Sequence, residues 1–286
     1  MSRRIKVSSG VLNIVLHPHS PERYANLIED LFDLKRAVQL RGDRYGMLSL
    51  IDRRRDQAGF VSGIITTFLN IEFEGRWFDT SDLKEATKEQ VSKVSIPENL
   101  HPNAASFYFD FDTVEHKLYF QTYSEGKVLT HNQAYSLFEG LADDLKIRKK
   151  YGPVRITIVQ SRAGLDALFK LPFIKQIKIR ICKPNPDIFS DDFEEQIEQH
   201  LAQANSQSIT ISYEAEPGQS LEPTDEIRHV SEVALENGEV EVRGRDEKGA
   251  VTKSTEQQPK VLQDKFDPEE TSERDAFRRL IPRRHG

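Results

Sequence analysis

Two short apolar runs carry basic side chains at alternate positions. In residues 154–160, Val154, Ile156 and Ile158 take one side of an extended segment and leave Arg155 and Thr157 on the other. In residues 174–182, Ile177, Ile179 and Ile181 oppose Lys178, Arg180 and Cys182. A helix between the runs, 161–169, would cover the isoleucine face with Leu165, Leu168 and Phe169. Arg155, Lys178 and Arg180 would then project together from the uncovered face, flanked by Lys149, Lys150 and Lys183. A platform of this kind neutralises phosphates by counterion release, the usual source of sequence-independent nucleic-acid affinity. The same pattern also serves a solvated face, or one docked on acidic residues. Arg53, Arg54 and Arg55 add a compact basic loop tip between two expected strands. Tyr108, Tyr119 and Tyr123 share an expected sheet face that could stack bases, although tyrosines at the edge of a core look the same.

Other chemistry is more weakly signalled. Asp110 and Asp112, followed by Glu125 and Lys127, have the spacing of a nuclease's metal-holding acids and catalytic lysine. Glu125-Gly126-Lys127 falls in an expected turn rather than a strand, which counts against that reading. His17 and His19 flank Pro18 without a third ligand at a telling distance. Cys182 would need a histidine partner to act as a nucleophile. Residues 249–255 end like a phosphate-binding loop but lack the glycine before the lysine and a following helix. No cofactor or metal is therefore expected. Near the end, Ala276, Phe277, Leu280 and Ile281 lie among Arg278, Arg279, Arg283 and Arg284, a pattern for a short docking helix in an otherwise frayed tail.

The chain that must position these groups has 286 residues, 40 Lys plus Arg and 46 Asp plus Glu, for a net charge of −6. A hydrophobic share of 37% supports a real core and excludes wholesale disorder. The single cysteine excludes an internal disulfide and favours a reducing compartment. No apolar run spans a bilayer, so a cytoplasmic protein without a membrane partner is expected. The small net charge hides a segregation. Residues 146–183 carry eleven Lys or Arg and one acid, Asp166, for +10, whereas 184–247 carry seventeen acids and three arginines for −14. The two segments either neutralise each other or face different partners.

The elements follow from periodicity. A strand is expected at 5–16, then a helix capped by Ser20 with Pro21 in its first turn, running to about Val38. Strands at 45–51 and 59–73, a long polar excursion at 79–103, and a hairpin of Phe107, Phe109 and Phe111 turning at 112–116 come next. A helix at 131–149 precedes strands and helices in alternation from 154 to 243, with room for a short strand in 249–260. The predicted fold is α+β: a β-rich domain over 1–150, an alternating β/α domain with a mixed sheet over 151–256, and a mobile polar tail over 257–286.

The segments 13–24, with His17-Pro18-His19-Ser20-Pro21, 41–46, with Arg41-Gly42-Asp43, and 75–79, with Gly75-Arg76-Trp77, carry a resemblance, joined by Phe107-Tyr108-Phe109 and Lys183-Pro184-Asn185-Pro186-Asp187. Over residues 5 to about 255 they resemble an uncharacterised bacterial and prophage family, domain of unknown function forty-seven-forty-seven. The order of elements in 154–183 is also loosely similar to the phage-exclusion protein RexA and to the DNA-binding subunit of the Kiwa defence system. The resemblance implies a role in defence against phage, with nucleic acid or a phage replication protein as the thing sensed, and it carries over no catalytic residue. Three functions stand as expectations. They are a non-enzymatic nucleic-acid-binding protein, more of DNA than of RNA, with a homodimer among its expected partners; an interaction module using the acidic segment 184–247; and a metal-dependent nuclease.

Overall fold

A computed structural model describes residues 4–18, 20–52, 59–72, 75–183 and 192–282. Strand β1 (Ile5–Val15) is followed by α1 (Pro21–Asp33), with Ser20 as its cap: the Ser20 hydroxyl accepts the Arg23 N–H at 3.2 Å. The helix stops earlier than its apolar spacing suggests. Lys35 adopts a left-handed conformation, φ 47°, and residues 38–41 become a strand instead of a last helical turn.

Strands β2 (Val38–Arg41), β3 (Arg44–Asp52) and β4 (Phe60–Leu69) follow. The polar excursion holds β5 (Phe78–Asp79), β6 (Lys84–Glu85) and α2 (Lys88–Ser92). The phenylalanine hairpin is β7 (Ala105–Asp112) with β8 (Lys117–Gln121), trailed by the small hairpin β9 (Tyr123–Ser124) and β10 (Lys127–Val128). The helix expected at 131–149 is two helices, α3 (His131–Ala142) and α4 (Leu145–Tyr151), because the Asp144 carboxylate caps a new start by accepting the Lys146 N–H at 2.9 Å. After them come β11 (Arg155–Ile158), α5 (Arg162–Phe169), β12 (Phe173–Cys182), α6 (Asp192–Gln203), β13 (Ser208–Glu214), α7 (Asp225–Asn237), β14 (Gly238–Asp246) and β15 (Gly249–Ser254). The chain closes with β16 (Val261–Phe266) and α8 (Glu273–Leu280).

The α+β class holds. An eight-stranded sheet has the order β11-β1-β8-β7-β4-β3-β2, with β16 also on β1, and a four-stranded sheet has the order β13-β12-β14-β15. Every pairing in the second sheet is antiparallel, where a mixed sheet was expected. Two segments also sit elsewhere than the sequence suggests. β11, the expected opening of the second domain, pairs with β1 of the first sheet through Leu12↔Ile158 to Val15↔Arg155. The expected mobile tail supplies β16, which pairs with the other half of β1 from Ile5↔Phe266 to Gly10↔Val261, and α8, whose Phe277 is fully buried.

Eleven-residue β1 makes this possible, since it is long enough to hold two strands end to end along one edge. Its alternation fixes the layers. Leu12 and Ile14 join Phe107, Phe109, Phe111, Leu118 and Phe120 in a core covered by helices α1 and α3. Val7 and Val11, on the opposite face, pack with Phe60, Tyr119 and the α8 residues Ala276 and Phe277. Gly10 lets this sheet approach α3, because a Cβ there would fall 2.4 Å from the Phe120 ring and 2.7 Å from His131. In the second sheet Ile177, Ile179, Ile181, Val240 and Val242 pack against α5 and α7 residues such as Leu165, Leu168, Val230 and Val233.

Candidate nucleic-acid interface

The alternation of β12 is as the sequence indicates: Ile177, Ile179 and Ile181 are buried, while Lys178 and Arg180 are exposed. Their neighbours are what the linear sequence conceals. Antiparallel pairing sets Lys178 beside Ser212 on β13 and Glu241 on β14, and Arg180 beside Thr210 and Glu239. Arg180 Nη1 lies 3.9 Å from Glu239 Oε1, and the Arg243 guanidinium is 3.1 Å from Glu241. Cations of the +10 segment and glutamates of the −14 segment therefore alternate across one sheet face. Exposed cross-strand pairs of this kind contribute roughly 0.2–1 kcal/mol each, enough to lower the local potential but little to stability.

The single basic platform divides accordingly. Arg155 belongs to the first sheet, half-buried, and its Nη1 donates to the Lys183 carbonyl at 3.3 Å, which ties the start of β11 to the end of β12. Lys183 is half-buried and its N–H donates to the Gln207 carbonyl at 3.0 Å. Lys149 and Lys150 lie on α4, both exposed. The Lys150 ammonium pairs with Asp30 and sits 5.3 Å from the Tyr151 ring centre, while the Tyr151 hydroxyl donates to the same carboxylate at 2.6 Å. Arg53, Arg54, Arg55, His19, Arg283 and Arg284 lie outside the described residues.

Helix α4 offers more than was singled out from the sequence. Its seven residues include Lys146, Arg148, Lys149 and Lys150 and no acid. Arg148 pairs with Asp143 at 3.1 Å. Lys146 and Lys149, three residues apart and so on one side of the helix, are exposed and have no ion-pair partner among the described residues. The signal for this helix was the charge run itself, hidden because the run reads as the end of α3 unless Asp144 is recognised as a cap.

Between α3, β11 and the ladder lies a cleft of about 570 Å³, lined by Tyr135, Gln160, Arg180, Cys182, Glu239 and Glu256 among others. Burial, reinforced by Glu239, raises the Glu256 carboxyl above its ordinary range. Tyr135 is pushed up to about 12 by burial and by its hydrogen bond to Glu139. Cys182 is a half-buried free thiol.

The four nuclease candidates are not assembled. Asp110, buried, lies 3.4 Å from Arg278 of α8. Asp112 accepts the N–H groups of Val114 and Glu115 at 2.9 and 3.0 Å and shapes the hairpin turn. Glu125 and Lys127 are exposed on the β9–β10 hairpin. Among the described residues no group of three or more His, Cys, Asp or Glu is placed to hold a metal ion. Residues 249–254 are strand β15 rather than a phosphate loop. Tyr119 is buried, leaving Tyr108 and Tyr123 half-buried on that side of the sheet. No helix among the described residues is long and apolar enough to cross a membrane.

These features define an α+β protein built on two large antiparallel sheets, with a mixed-charge sheet face and a separate cationic helix. Residues 5–282 match the family described as Domain of unknown function (DUF4747), and the chain belongs to that family. No curated protein matches it.

Proposed function

We propose that this protein binds nucleic acid without catalysis and acts in defence against phage. Contact with the phosphate backbone is made by the cations of α4 and the adjoining corner of Arg155 and Lys183, with Lys178 and Arg180 in a lesser role. The observation that carries this reading is the pair Lys146 and Lys149, exposed on a helix without an acid, while Lys178 and Arg180 each have a glutamate beside them on β14, Arg180 within 3.9 Å of Glu239. Free cations gain most by replacing counterions on a phosphate chain; cations already paired must first give up a neighbour. The phage side of the reading rests only on the loose likeness in element order drawn from the sequence, and β11 and β12, which that likeness sets together, belong to different sheets.

The test is fluorescence anisotropy of labelled duplex DNA and single-stranded RNA at several salt concentrations. Lys146→Glu with Lys149→Glu should weaken binding at least about tenfold and reduce the salt slope by about 2. Lys178→Glu with Arg180→Glu should do less. Unchanged affinity in the α4 variant overturns the assignment.

A second reading is supported by the exposed acids Glu214, Glu216, Glu222, Asp225 and Glu226 between β13 and α7, which no basic strand covers. They would suit a basic protein partner such as a phage replication protein. A pull-down from infected cells that survives nuclease treatment would favour it.

A further inference from the structure

Strand β13 ends the second sheet, and its outer edge has no strand beside it among the described residues. Which backbone groups face outward follows from two hydrogen bonds. The Lys183 N–H donates to the Gln207 carbonyl at 3.0 Å, and the Ala215 N–H donates to the Lys175 carbonyl at 2.9 Å. The register between them is unbroken from Ile181↔Ile209 to Gln176↔Glu214. Odd-numbered residues therefore spend their backbone groups on β12. The N–H and C=O groups of Ser208, Thr210, Ser212 and Glu214 point away from the sheet.

Edges of this length are normally blunted by lysine, proline or a bulge. Ser208–Glu214 has none of these, and its one charge is Glu214 at the end. The other terminal strands of the two larger sheets are protected: β2 is four residues with an irregular register and Arg41, β11 is four residues long, β15 carries Lys253, and β16 carries Asp264 and Lys265.

We infer that β13 pairs antiparallel with β13 of a second copy of this chain, about a two-fold axis at Ile211, joining two four-stranded sheets into one. In that register Thr210 faces Ser212 of the second copy and Ser208 faces Glu214. These are the outward-pointing residues, so both pairs exchange backbone hydrogen bonds. Ile211 faces its own equivalent in the close, non-hydrogen-bonded position. Ile209 faces Tyr213, and these half-buried side chains extend the core across the axis.

Charge selects this arrangement and this partner. Glu214 shares a face with Arg180, since Lys178 pairs with Ser212 and Arg180 with Thr210. The two-fold carries Glu214 of one copy to the end of the other copy's β13 that pairs with Cys182, one pleat from Arg180. Parallel pairing would instead stack the two Glu214 side chains. The self-complementary order of hydroxyl, isoleucine and hydroxyl about Ile211 fits a second copy better than an arbitrary peptide.

Sedimentation velocity of the full chain over a range of concentrations tests this. A dimer is expected, and a monomer at every concentration overturns the proposal. Thr210→Pro deletes an outward donor while leaving the bonds to β12 intact. It should raise the dimer dissociation constant about tenfold or more with the far-UV circular dichroism unchanged, and an equally tight dimer would place the interface elsewhere. Ile211→Cys in a Cys182→Ser background provides a second readout that does not depend on the proline variant folding. Mild oxidation should convert it to a covalent dimer, and a reduced monomer throughout overturns the register.

Discussion

Lys117 Nζ lies 2.7 Å from Glu236 Oε2, joining a strand of the first sheet to the helix that leads into the second. The same ammonium donates to Asn13 Oδ1 at 3.1 Å, and Asn13 Nδ2 donates to Asn237 Oδ1 at 2.9 Å. Thr157 Oγ donates to the Glu236 carbonyl at 2.7 Å, and Gln160 Nε2 to that of Gly238 at 2.6 Å. The carbonyls at the end of α7 thus find their partners on β11 and just beyond it. The two sheets are held by a polar joint in which most buried groups satisfy one another, Gln160 Oε1 being left without a partner among the described residues, an arrangement that fixes geometry more than it adds stability.

Removing the lysine tests the joint. Lys117→Met keeps the bulk of the side chain but leaves Glu236 and Asn13 without their shared donor. A fully buried broken pair costs roughly 3–5 kcal/mol, and the Glu236 side chain keeps 37% of its exposure, so about 2 kcal/mol is expected here. Urea denaturation measures it. Adding Glu236→Gln to Lys117→Met should recover part of the loss, since no charge is then left behind.

The pair also sets an acid limb. Burial, the largest single influence, pushes the Glu236 carboxyl up, but the charge and hydrogen bond of Lys117 together with the charges of Lys260 and Arg162 outweigh it, so its pKa lies below the ordinary range. A depressed folded value means that the stabilisation is complete above the unfolded value, about 4.3, and is lost as pH falls through the folded one. In Lys117→Met burial loses its main opponent and holds the same carboxyl higher, so the stability gap between wild type and variant should be full at pH 7, begin to shrink as the variant's Glu236 takes up its proton, and close once the wild type's does. His131, lowered by burial, acts at higher pH: its contribution is complete above about 6.5 and falls away as pH drops through its folded value. That earlier loss should be the same in the Lys117→Met variant.

The C-terminal helix is a structural member. Phe277 is fully buried beneath α8 with Val7, Val11 and Tyr119, and Glu273 accepts hydrogen bonds from Gln121 at 2.7 Å and Ser124 at 3.1 Å. Phe277→Ala should lower stability by about 3–5 kcal/mol. A chain ended after residue 258 loses β16 as well and uncovers the edge of β1. It should fail to give the wild-type cooperative transition in differential scanning calorimetry.

Local patterns show why the sequence revealed some of this and not the rest. The phenylalanine alternation of β7, the Ser20 cap and the two faces of β12 are periodic or capping signals confined to a few residues, and they read correctly. Alternation reports which side of a strand is buried but not which strand lies beside it. Nothing within residues 154–182 distinguishes a β11 paired with β12 from one paired with β1. The β16 and α8 segments are polar because each contributes only a few apolar side chains to a surface built some 250 residues earlier. The Glu239 and Glu241 ladder was hidden for the same reason. Two blocks of opposite charge in sequence become alternating neighbours only once the antiparallel register of β12 and β14 is fixed.

That ladder gives the last prediction. If Glu239 and Glu241 are what restrain the basic face, Glu239→Gln with Glu241→Gln should release it while preserving hydrogen-bonding capacity. Folding should not suffer, because the pairs are exposed and Glu239 also helps raise the neighbouring Glu256 carboxyl, a repulsion the substitution removes. Lys178 and Arg180 then become available to phosphates, and the plot of log affinity against log salt should steepen by about 2, roughly one unit per cation gained. In this background Lys178→Glu with Arg180→Glu should abolish the gain, whereas in the wild type it has a small effect. A salt slope that does not change when both glutamates are neutralised would show that nucleic acid never meets this face, leaving α4 and its neighbouring corner as the whole interface.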